Sequence, residues 1–164
     1  MKWFILGTAF TLVATLTLIF QNDYNMHQEQ MDYLKFVAQE ASAAASQYFS
    51  EEKYGDGYLV YDQAEGEKAA RSVIISLLKL NPDMTPSSNS YWKGVGNVTY
   101  DLEYFDESNY SFPFTYVYTH PKGQTTLVMN GPSVLIRINV GKAKYDWFQN
   151  DTDYYRIGVH SFDE

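Results

Sequence analysis

The sequence predicts an α+β fold: a long N-terminal helix, a second shorter helix, and an antiparallel sheet of five or six strands. Two patterns predict it. Neither Gly nor Pro occurs between residues 8 and 54, where an apolar stretch passes into an amphipathic one. From about residue 97 onward, short alternating apolar runs are separated by turn residues. A chain of 164 residues holds one compact domain plus an appendage. Its 45% hydrophobic content is too high for a disordered chain, and its mean hydropathy of -0.36 is too low for a polytopic membrane protein.

The appendage is the opening run. Trp3 to Phe20 carries no charge and, as a helix rising 1.5 Å per residue, extends about 27 Å, close to the hydrocarbon thickness of a bilayer. Residues 1–23 are therefore read as a membrane-spanning or filament-core segment. A cleavable signal would have a shorter apolar core and small residues at its exit, whereas this run ends Leu18-Ile19-Phe20-Gln21. Retention is the expectation. Lys2 precedes the span while Asp23, Glu29 and Asp32 follow it, which places the N-terminus in the cytoplasm and residues 24–164 outside the cell. Trp3, Gly7, Thr11, Ala14, Leu18 and Phe20 are the candidate lipid or helix-contact residues, because helices in lipid pack through small side chains. In a plain anchor the threonines would instead bond the carbonyls four residues back.

The helical signal continues beyond the span. Phe20, Tyr24, His27, Met31, Leu34, Ala38, Ala41, Ala45 and Tyr48 recur at spacings of four and three, one stripe on one face. One helix from about Trp3 to Phe49 follows, around 70 Å long. Tyr24, Met31, Leu34, Ala38, Ala41, Ala45 and Tyr48 are its expected packing stripe. The small residues admit a close neighbour, either the protein's own sheet or another copy. Gly55-Asp56-Gly57 ends this helix. Asp62 with Glu65 three residues on starts a second, over 62–80, whose apolar stripe runs through Ala70, Val73, Ile74, Leu77 and Leu78 to the stop at Asn81-Pro82. After a loop at 83–96, strands are expected around Val98–Tyr104 and over 112–119, 125–129, 134–140, 143–148 and 154–160, joined as a meander by short loops.

Chemistry is sparse. No cysteine is present, which removes disulfides, thiolate metal sites and Cys nucleophiles together. With 20 Asp+Glu against 12 Lys+Arg the chain lacks the cationic face of a nucleic-acid binder. His27, His120 and His160 have no metal-spaced companions, and no P-loop, G-x-S-x-G or G-x-G-x-x-G occurs. Asp101 and Glu103 share a strand face near Asp106 and Glu107; this reads as a charged strand edge, and as catalysis only if the carboxylates converge in a cleft. Asp106 to Asn109 and Asp151-Thr152-Asp153 read as Asx turns. No catalytic residue, metal or cofactor is expected. Asn97, Asn109 and Asn150 each open an N-glycosylation sequon.

A Trp3–Phe20 apolar run, a Phe20–Tyr48 stripe and a sheet from about Asn97 make the whole chain resemble type IV pilin-like proteins. Asn130-Gly131-Pro132-Ser133-Val134 and the strand after it are similar to small anchored proteins of Gram-positive Tad-type pilus systems. The resemblance implies a bacterial structural subunit without enzymatic activity, whose apolar half-helices bundle into a filament core with the sheets outside, in the service of adhesion. Pilin-like precursors carry a polar leader ending in Gly or Ala and a Glu five residues into the mature helix. Here Gly7 follows apolar residues and leads into Thr8, Ala9, Phe10, Thr11 and Leu12. The expected partners are membrane lipid or copies of the chain, and no nucleic acid. The alternative is a membrane-tethered extracellular module whose Tyr-rich sheet binds a protein or glycan.

Overall fold

The computed structural model describes residues 1–92, 96–120, 123–141 and 154–162. Helix α1 (Lys2–Ser46) is continuous and, at 1.5 Å per residue over 45 residues, about 68 Å long. Next come α2 (Glu51–Gly55) and α3 (Gln63–Leu78). Five strands complete the fold: β1 (Thr99–Phe105), β2 (Phe114–His120), β3 (Gly123–Met129), β4 (Ser133–Gly141) and β5 (Tyr154–Ser161). The architecture is α+β, as the periodicities predict. The expected strand at 143–148 lies outside the described residues.

Three corrections follow. Helix α1 stops at Ser46 rather than near Phe49. The chain must reverse there, since Ser50 N–H donates to Val60 C=O at 2.8 Å, Asp62 N–H donates to Tyr48 C=O at 3.0 Å, and Phe49 bridges to Tyr61. Those bonds replace the helical ones that residues 47–49 would have made. A separate turn of helix, α2, then occupies residues read from the sequence as helix end. Finally, the strands form two sheets instead of one meander: a three-stranded antiparallel sheet in the order β1-β4-β5 and a hairpin of β2 with β3.

Burial explains the split. Central strand β4 is buried on both faces over its first four residues, Ser133 to Ile136. Val134, Ile136, Ile138 and Val140 point toward the helices and join Leu34, Val37, Ala38 and Ile74 in the main core. Leu135 points the other way with Phe105, Ile157 and Val159, and this second face needs a cover. The hairpin supplies it through Phe114, Tyr116, Leu127 and Met129. Chain-adjacent β1 and β2 therefore pack face to face instead of pairing edge to edge. On β1 the alternation is as expected: Tyr100, Leu102 and Tyr104 lie against the helices, and Asp101 and Glu103 lie on the hairpin side.

Helix α1 is held to the body through two glycines. A side chain at Gly158, midway along β5, would fall on the backbone carbonyl of Ala38, and a Cβ at Gly66 of α3 would come within 2.9 Å of Ala45 C=O and 2.6 Å of the Tyr104 hydroxyl. The small-residue stripe thus receives the protein's own strand and helix.

Candidate functional site

Helix α1 meets two environments. Its apolar N-terminal window averages a hydropathy of 2.0 and is 0% buried. Trp3, Leu18 and Phe20 are exposed, Ala14 is exposed, and nothing approaches Gly7 within 4 Å. Among the described residues this is the one helix long and apolar enough to cross a membrane. Its hydroxyls are internally satisfied: Thr8, Thr11, Thr15 and Thr17 donate to the carbonyls of Phe4, Gly7, Thr11 and Val13 at 2.9–3.0 Å. No polar side-chain group of these threonines is left needing water, which suits a hydrocarbon surround.

From Met31 the same helix turns inward. Met31, Leu34, Val37, Ala38, Ala41, Ser42 and Ala45 are buried. Tyr24 and Tyr48, placed in the stripe by spacing, are 57% and 43% exposed. Tyr24 sits before α1 reaches the body, and Tyr48 lies past the helix end. Between the regimes, half-buried His27 makes edge-on ring contacts with Tyr154 at 4.6 Å and Trp92 at 6.4 Å. This aromatic knot closes the end of the core from which the exposed half of α1 emerges.

Of the carboxylates singled out by sequence, Asp101 and Glu103 face one cleft, and each is taken up by its own partner. Asp101 pairs with Arg137, whose other terminal nitrogen donates to the Tyr118 hydroxyl at 3.1 Å. Glu103 accepts from the Tyr116 hydroxyl at 2.5 Å. Burial, and then this bond to Glu103, push the Tyr116 phenol up to about 12. These residues line a cleft of about 540 Å³ between sheet and hairpin. Asp106 is buried and caps its own turn, accepting from Ser108 N–H at 3.0 Å and Tyr61 N–H at 3.2 Å. Glu107 accepts from Leu59 N–H at 2.7 Å. Each acid anchors a neighbouring segment. Among the described residues no group of three or more His, Asp or Glu could hold a metal ion.

Asn97 and Asn109 are exposed, and Asn150, with Asp151 and Asp153, lies outside the described residues. His160 is exposed on β5.

Sequence reasoning passed over a cleft of about 710 Å³ at the end of the body beyond the C-terminus of α1. Tyr54, Tyr58, Phe112, Pro132 and Phe162 supply its rings, Glu107 and Asn130 its polar groups, and Gly57 and Gly131 leave it open. The lining comes from four separate segments of chain, none with a catalytic or ligand-binding motif; Asn130-Gly131-Pro132, quoted above for its resemblance, is one of them. Compared with protein-family models, with curated proteins and with solved structures, the chain matches none.

Proposed function

We propose that this chain is a structural, non-enzymatic subunit of pilin-like build, held in a membrane or in a filament core by the N-terminal half of α1, with the body outside the cell. The observation that carries the reading is the continuity of α1. One unbroken helix is wholly exposed and apolar over its first half and buried in the body over its second. Leaving such a surface wet costs about 25 cal/mol per Å², so it is covered by lipid or by sister helices. The body is thereby fixed rigidly to whatever holds the helix, as a stalk without a hinge.

The absence of cysteine makes the test direct. Single cysteines at Gly7, Thr11 and Ala14 in the full chain are expected to cross-link between copies in native membranes, and the native N-terminus to retain the apolar run. A native chain beginning near Gln21 and soluble without detergent would overturn the reading.

A second reading, a tethered binding module, is favoured by one observation, the aromatic cleft at the pole farthest from the anchor. In it α1 is a stalk, and the cleft, rather than the sheet face, meets the partner.

A further inference from the structure

We infer that the aromatic cleft is a binding site for an organic cation, an alkylammonium or guanidinium group; this rests on the second reading above and names its ligand class. The volume, about 710 Å³, lies within the range of ligand sites. Tyr54 and Tyr58 are 55% and 58% exposed, and Phe162 is 39% exposed. Large rings left this wet at one place on a body that buries Trp92 and Phe105 are surface available for contact. Aromatic faces carry negative charge density and attract cations within about 6 Å of the ring centre.

The charge at the cleft has the matching sign. Glu107 is its one charged lining residue, and no Lys, Arg or His joins it among the described residues. Its Oε2 accepts from Leu59 N–H at 2.7 Å, a bond that orients the carboxylate at the cleft. Next to the cleft, α2 and its C-cap add Glu51, Glu52 and Asp56 against the single Lys53. In a chain with a formal net charge of -8 this pole repels anions and draws cations. A neutral saccharide could stack on the rings and donate hydroxyls to the carboxylate, but it gains nothing from the surrounding negative field, which favours a cation. Two sources share the cation chemistry: a quaternary ammonium head group and the basic side chain of a protein.

Titrating the full chain in mild detergent with choline, arginine ethyl ester and methyl glucoside, by calorimetry or by chemical shifts of the tyrosines, tests the site. Saturable binding of either cation is expected, weakened about tenfold by Glu107→Gln and several-fold by Tyr58→Leu. Glu107→Gln keeps an acceptor for Leu59 N–H, so unchanged melting separates loss of the site from loss of the fold. Preference for choline identifies a head group, and preference for the arginine ester a basic peptide. Binding of methyl glucoside instead would overturn the cation assignment and leave a binding module standing. No saturable binding of any of the three would overturn both the assignment and the cleft's part in that reading.

Discussion

The N-terminal and C-terminal halves of α1 share one backbone and differ in side-chain size. Trp3, Phe4, Phe10, Leu16 and Ile19 project into open surroundings from the first half, whereas Ala38, Ala41, Ser42 and Ala45 sit in the core from the second. Bulk suits a fluid hydrocarbon surround, which closes around any shape. Small residues suit a solid neighbour, because backbone can then approach backbone, as Gly158 does at Ala38 and Gly66 at Ala45. Met31, Leu34 and Val37 fill the core between these small residues, so the protein-facing half mixes large and small side chains where the exposed half carries a continuous apolar run.

The largest expected effect breaks the protein-facing half. Gly158→Ala places a methyl on the Ala38 carbonyl, and both atoms involved belong to packed backbone. A loss of about 3 kcal/mol is expected, a fall of about 6–12 °C in the melting temperature of the full chain followed by circular dichroism. Melting unchanged within about 1 °C would mean that α1 is not seated on β5 as described.

The complementary change strikes the other half. Leu12→Arg puts a charge near the middle of the apolar run, with an insertion cost of about 3 kcal/mol. The variant should shift from the membrane fraction toward the soluble or aggregated fraction, while the body melts within about 0.5 kcal/mol of the parent. If both substitutions lowered the melting of the body equally, the two halves would not be separate environments.

A smaller effect appears at high pH and is confined to the body. The phenols of Tyr61, Tyr104 and Tyr116 hold their protons more tightly folded than unfolded, chiefly through burial, with Asp106, Glu67 and Glu103 adding negative charge beside them. A group whose pKa is raised by folding lends stability that is complete below its unfolded value and is lost as the pH climbs through the folded one. For Tyr116 that window runs from the ordinary 10.0 to about 12. Thermal melting should therefore fall steadily above about pH 10, with tyrosinate absorbance rising together with the loss of structure. Tyr116→Phe should flatten the first part of that fall.

How much of this the sequence carries depends on whether a feature is local. The long helix, the second helix with its Asp62 cap and the alternation of β1 were legible because each is a periodicity within one segment. Strand order was not. Phe105, Leu135 and Ile157 form a second core only after three distant segments have met, and this core draws the hairpin onto the face of the sheet instead of the edge of β1. The two docking glycines left a trace, since a Gly inside a helix and another inside a strand both run against propensity. Which element each would touch was invisible. The aromatic cleft, assembled largely from turns, had no periodic signature at all. For the apolar half of α1 sequence was enough, because length and composition alone make a helix a candidate membrane span.

The smallest effect concerns the threonines, and it sharpens the comparison within the exposed half itself. Thr11 donates its hydroxyl to Gly7 C=O at 3.0 Å, so the group is already satisfied inside its own helix. Thr11→Val keeps the branched shape and removes only that bond; since hydrogen bonds between helices in lipid average about 0.6 kcal/mol, the change in self-association should stay below that. Gly7→Leu, by contrast, removes the open notch beside it, where nothing lies within 4 Å, and should abolish close helix contact. Cross-linking through a cysteine at Ala14 reads both substitutions in native membranes. If Gly7→Leu prevents it and Thr11→Val leaves it intact, copies meet through shape. If Thr11→Val alone prevents it, the hydroxyl must leave Gly7 for a neighbouring chain, and assembly through the span is polar. Cross-linking indifferent to both would remove the Gly7 face from assembly and leave this half of α1 as an anchor in lipid.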